Sequence, residues 1–216
     1  MNDGVISLIT QWCLLCMIWM GLFDRALTGI RVSRSVALAG LMLSLVCAYA
    51  NWQLYFLPVS INVSGALLPV MAAAWIWSVL PAQGKQYCVL SVLFTVFLQF
   101  AARKLFFWDP VLLIVDEHIL LPVVLVCATF LLVREWRQQL VILLLSLPLA
   151  DGLYVISNEA QWASAIVGGE YAQDLLWSVL SLWTLVALSW SAMVKGFSVF
   201  RVRLAEKWKT KSYVRR

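Results

Sequence analysis

Gln138-Gln-Leu-Val-Ile-Leu-Leu-Leu-Ser-Leu-Pro-Leu-Ala-Asp-Gly-Leu-Tyr-Val-Ile156 holds one ionisable residue, Asp151. A helix needs about 20 mostly apolar residues to cross a hydrocarbon core of about 30 Å, and this stretch has that length and character. It is apolar on every side, whereas a barrel strand alternates with period two over about ten residues. Six further stretches read the same way: Gly4–Phe23, Ser35–Phe56, Ile61–Leu80, Tyr87–Ala102, Ile119–Val133 and Gln173–Val194. Two of these are short. Tyr87–Ala102 extends through Leu105–Trp108, and Ile119–Val133 has an apolar lead-in at Val111–Val115.

The whole composition agrees. Of 216 residues, 63% are hydrophobic and 12% charged, against about 45–50% and 25% in soluble domains. That excludes a soluble globule, and it excludes disorder, which needs low hydrophobicity and high charge. Five cysteines, most within apolar runs, do not make a disulfide scaffold. The expected fold class is therefore all-α: a polytopic bundle of seven transmembrane helices over residues 1–194, followed by a basic tail over 195–216.

Lysine and arginine give the expected orientation, because cytoplasmic loops are enriched in them. With the N-terminus outside, fourteen of the sixteen fall on the inner side and only Arg103 and Lys104 on the outer. An even number of spans breaks that partition. Met1–Gly4 has no basic residue and no small-x-small site follows, so the first span reads as a permanent helix rather than a cleaved signal. Trp52, Trp108, Trp136, Trp162 and Trp208 fall near span ends, where an amphipathic ring is stable. Pro69 and Pro148 lie inside spans and are expected to kink them. Leu-Leu-Pro-Val occurs at 67–70 and again at 120–123. Duplicated hairpins and chance in a Leu/Val-rich chain both account for it.

The tail carries eight basic residues and one acid. Phe197, Phe200, Leu204 and Trp208 form a helical stripe, with Arg201, Arg203 and Lys207 between them. This pattern describes a helix lying on an anionic inner leaflet. Its place directly after a span favours the bilayer over nucleic acid as partner.

The candidate ligand-binding cluster lies on the expected outer side. It comprises Arg103, Lys104, Asp109, Asp116, Glu117 and the only histidine, His118, with Asp151 near the same end of its helix. Asn51, Asn62 and Ser64 lie at neighbouring span ends. Ionisable groups at membrane depth face a partner or water. The plainer reading is that the acids are hydrated loop groups and Asp151 sits at headgroup level. Asp116, Glu117 and His118 are consecutive, so on a helix they point in different directions, which argues against a metal site. Asn62-Val-Ser64 matches a glycosylation sequon. Cys13 and Cys16 share a helix face, but an apolar run disfavours a thiolate, so they read as structural thiols in a packed helix. There is no Gly-x-Ser-x-Gly elbow and no Gly-rich phosphate loop. No catalytic residue and no cofactor is expected.

Three functional readings follow. The first is a non-enzymatic membrane protein that assembles, senses or docks a membrane-protein partner. The second is a small transporter or channel with a polar site at its outer face, for which Thr95, Gln99, Thr129, Ser146, Ser181 and Thr184 make a thin lining. The third is a membrane enzyme acting on a lipid or a thiol.

Ile61-Asn-Val-Ser-Gly-Ala-Leu-Leu-Pro69, Trp108-Asp-Pro-Val-Leu-Leu-Ile-Val-Asp116 and the acid of the sixth span resemble the YphA-like multi-pass membrane proteins of spore-forming bacilli. The resemblance covers most of the chain. It implies a bacterial cytoplasmic membrane and a link to sporulation, and it supplies no catalytic residues.

Overall fold

A computed structural model describes residues 4–56, 59–82, 84–108, 116–157, 166–189 and 193. The chain is mostly helical. Helix α1 spans Val5–Trp19, α2 Asp24–Gly29 and α3 Arg34–Tyr49. Strands β1 (Gln53–Phe56) and β2 (Val59–Asn62) follow. A π-helical turn at Val63–Leu67 then runs into α4, Leu68–Val79. The remaining elements are α5 (Lys85–Trp108), α6 (Glu117–Leu132), α7 (Trp136–Ser157), β3 (Ile166–Val167) and α8 (Glu170–Ser189). Of these, α5, α7 and α8 are long and apolar enough to cross a membrane, while α1, α3, α6 and Val63–Val79 are shorter apolar helices.

Local chemistry sets the helix ends. After α1, Gly21 and Leu22 donate backbone N–H bonds to Ile18 O and Met17 O, and Arg34 Nε donates to Ile18 O at 3.0 Å. These bonds satisfy carbonyls that the helix itself leaves open. Ser33 Oγ accepts from Val36 N at the start of α3. Asn51, with φ +48°, closes α3, and Trp52 N donates back to Cys47 O.

Here the architecture departs from an all-α bundle. The expected spans Ser35–Phe56 and Ile61–Leu80 are helical only over part of their lengths. Their facing ends pair as an antiparallel hairpin, from Gln53 opposite Asn62 to Phe56 opposite Val59. β3 joins β2 in parallel, giving the order β1-β2-β3. Pro58, between the two apolar runs, removes a helical donor and biases Leu57 away from helix. The flanking residues Leu54, Tyr55, Phe56, Val59 and Ile61 suit a pleated strand. Pro69 lies where the π-helical turn passes into α4. Pro148 does lie inside α7, and so does Pro122 inside α6.

The chain divides into two compact units, residues 1–180 and 181–216. In the first, α7 lies against α4, α5 and α6, and α1 packs on α3. Val141, Ile142, Leu143, Leu147 and Ala150 of α7 are buried, with Leu121 and Leu125 of α6 and Ala73 and Ile76 of α4. α5 and α7 run in the same direction, since Cys88 meets Gln138 near their starts and Arg103 meets Asp151 towards their ends. The outward face of α5 is apolar: Leu90, Leu93, Phe97, Phe107 and Trp108 are exposed. Cys13 and Cys16 also lie on an exposed face of α1, beside Ile9 and Trp12. They are therefore not packed inside the helical core as the sequence suggested. In the second unit the described residues are the end of α8 and Met193. The amphipathic tail stripe from Phe197 to Trp208, with Arg201, Arg203, Leu204 and Lys207, lies outside the described residues.

Candidate functional site: an arginine clamped by two carboxylates and two tyrosines

Arg103 lies within α5 rather than in a loop, because the apolar run resumes at Leu105 and carries the helix on to Trp108. One turn and a half before that end, its guanidinium reaches α7. Nη1 donates to Asp151 Oδ1 at 2.7 Å, and Nε stands 4.0 Å from Glu117 Oε1 in the first turn of α6. Tyr154 and Tyr171 cover the guanidinium, with ring centroids 4.0 Å and 4.6 Å from Cζ. The Arg103 and Asp151 side chains are only 12% and 7% exposed, so the pair has largely left solvent.

Each partner is tied in turn. Asp151 Oδ2 accepts the backbone N–H of Gly168 at 2.8 Å. Tyr171 OH, from the first turn of α8, donates to Glu117 Oε1. The His118 ring lies 5.2 Å from that of Tyr171, and Lys104 Nζ 5.5 Å from the Tyr154 ring. Four helices therefore converge on one guanidinium. A desolvated cation over an aromatic face contributes about 2 kcal/mol, and a charge-assisted bond is stronger than a neutral one.

Gly168 has to be glycine. Its φ is +75°, and a Cβ there would stand 2.7 Å from Ala66 N. The same crossing brings its carbonyl against Gly65 of the π-helical turn, leaving no space for a side chain on that residue either. Gln173 Nε2 donates to Gly168 O at 3.4 Å. The neighbouring turn is organised by Asn62, which is fully buried. Its Oδ1 accepts from Ser64 N and Gly65 N, and its Nδ2 donates to Asn51 Oδ1 at 2.8 Å. That amide is spent on protein contacts, which rules against the sequon as a glycan acceptor in this fold.

A second buried carboxylate completes the region. Asp174 of α8 accepts Gly4 N at 2.8 Å and Ser7 N at 2.7 Å, capping α1 from across the fold.

Of the seven candidate residues, Arg103, Glu117 and Asp151 come together, and Lys104 and His118 border them. Asp116 is turned to its own helix: it is exposed, and its Oδ1 accepts His118 N at 3.1 Å as an N-cap. Asp109 lies outside the described residues. Asp151 is buried and ion-paired with Arg103 rather than hydrated. Tyr154, Tyr171, Gly168 and Asp174 were not singled out from sequence. Tyr154 had a usable signal, since it falls three residues after Asp151 and shares its face. Asp174 had the same signal as Asp151, an acid within an apolar span. Tyr171 and Gly168 had none.

Apolar helices of spanning length, enclosing an ion pair away from solvent, define a helical integral membrane protein. The chain belongs to the YphA-like integral membrane protein family, whose model matches residues 3–212. No curated protein and no solved structure matches it.

Proposed function

We propose that this is a non-enzymatic, seven-span protein of the bacterial cytoplasmic membrane, N-terminus outside and C-terminus inside, that senses or docks a membrane-protein partner. The sidedness rests on the fourteen-to-two division of Lys and Arg. The role rests on one observation: Arg103, Glu117 and Asp151 are tied to one another and to the protein around them. Both Asp151 oxygens accept, and two rings lie over the Arg103 guanidinium. Such a closed cluster fixes the relative positions of α5, α6, α7 and α8, which favours a rigid platform over a site that binds and releases solute. The basic tail would hold to anionic inner-leaflet lipid.

Crosslinking in native membranes followed by purification tests this. A partner recovered in fixed ratio is expected, and it should be lost with Arg103→Met. Solute movement by the pure protein in liposomes overturns the reading.

A further inference from the structure

At the ends of α5 and α7 away from the Arg103–Asp151 pair, three connections meet. Gly29 of α2 lies against the start of α7: a Cβ there would stand 2.9 Å from Trp136 Cζ2 and 3.9 Å from Arg137 Nη2. Trp75 of α4 donates from Nε1 to Ile30 O at 3.4 Å. Gly84, just before α5, lies against Gln138 of α7, with 3.0 Å between its ideal Cβ position and Nε2. The segments 24–34, 84–85 and 133–137 thus come together. They carry six cations, Arg25, Arg31, Arg34, Lys85, Arg134 and Arg137, and two acids, Asp24 and Glu135. Among the described residues, Arg34 alone of the six has a carboxylate within 4 Å.

Arg137 is the cation of this group that the fold partly encloses. Its Nε is buried and has no acceptor among the described residues. Its guanidinium is held instead against Gly29 and lies 5.6 Å from the centre of the Trp136 ring. A guanidinium carries five N–H donors in a planar fork, and a buried donor left without an acceptor is costly. Arg103, at the other end of the same two helices, is answered by Asp151 and Glu117. Arg137 has no such carboxylate, so an anion from outside the described residues is the partner its chemistry calls for. Its depth identifies the source. Arg137 stands in the first turn of α7, a helix long and apolar enough to cross a membrane, which puts it where hydrocarbon gives way to headgroups. Trp75 and Trp136 flank the Gly29–Ile30 turn at that level, as tryptophans do at a membrane surface. The anion abundant there is a lipid phosphate, and a guanidinium matches phosphate oxygens two at a time.

We propose that Arg137, beside the Gly29–Ile30 turn, binds the phosphate of an anionic phospholipid at the membrane surface. This site lies in the helical body, apart in sequence from the basic tail. It depends neither on the docking reading nor on which face of the membrane is cytoplasmic.

Native mass spectrometry of the full chain tests it, after delipidation in detergent and with phosphatidylglycerol and phosphatidylethanolamine offered in equal amount. The wild-type chain should retain phosphatidylglycerol preferentially, and Arg137→Gln should weaken that retention by about fivefold or more. Arg25→Gln, at an exposed position of α2, should cost less. All these chains keep the tail, so the difference between them reads the site itself. Arg137→Lys serves where the glutamine variant does not fold: it should bind more weakly than wild type, because an ammonium lacks the planar fork. Undiminished retention by a folded Arg137 variant overturns the proposal, as does an equal loss in Arg25→Gln, the mark of diffuse surface charge. So does equal retention of the two lipids. Displacement of phosphatidylglycerol by millimolar inorganic phosphate overturns the lipid as the source of the anion.

Discussion

Arg103 has two aromatic rings over its guanidinium and a carboxylate oxygen 2.7 Å from Nη1, so its contribution cannot be copied by another cation. Removing one partner from a buried pair strands the other, at a cost of about 3–5 kcal/mol, whereas replacing both with apolar residues is often neutral. Arg103→Met should therefore destabilise by about that amount. The double variant Arg103→Met with Asp151→Leu should recover most of the loss, though Gly168 N would still miss its acceptor. Arg103→Lys should rescue little, because an ammonium has neither the fork nor the flat faces of guanidinium. Denaturant unfolding in detergent measures all three. At Asp174 the quantity at stake is a helix cap, worth about 0.5–2 kcal/mol. Asp174→Ala should lose that much and speed amide exchange at Ser7, while exchange in the middle of α7 stays unchanged. Equal acceleration at both places would mean global unfolding rather than an opened cap.

At the scale of elements, the π-helical turn and the Gly168 turn close tightly on one another, with no space for a Cβ on Gly65 or Gly168. Gly168→Ala demands a left-handed backbone and pushes a methyl towards Ala66 N, so a loss of about 1–3 kcal/mol is expected. Its effect should also reach Asp151, whose bond to Gly168 N would shift, and so bring Arg103 closer to solvent. Unfolding reads the first consequence, and protease accessibility near α8 reads the second. The helical runs were legible because apolarity over 15–20 residues is a strong, local signal. The hairpin at Gln53–Asn62 was masked by that same apolarity, since a short apolar run suits strand and helix alike. Pro58, between the two runs, was the available clue. Among the site residues, Asp151, Glu117 and Arg103 were visible as charges in an apolar chain. Tyr171 and Gly168 were not, because pairing across 54 and 17 residues leaves no periodic trace.

For the molecule as a whole, the proposed sidedness makes a direct prediction. Reporter fusions should place the two ends of the chain on opposite faces of the membrane, and finding both on one face removes the orientation. Thiol accessibility checks the fold separately. Cys13, Cys16 and Cys127 are exposed, while Cys47 and Cys88 are buried. In detergent, with denaturant raised stepwise, a maleimide should therefore modify the first three before Cys47 and Cys88, which open only with the fold. Modification of Cys88 without denaturant would contradict the packing of α5 on α7.

The carboxylate that caps α1 has a consequence for biogenesis. Gly4 and Ser7 await an acceptor that the ribosome supplies only about 170 residues later. At 5–20 residues per second, that interval is roughly 8–35 s. During it the first hydrophobic segment has already emerged, with its opening turn still unfinished. Completion of the bundle is thus timed by the end of translation, and a nascent chain halted before Asp174 would present a loose leading helix to membrane-bound proteases.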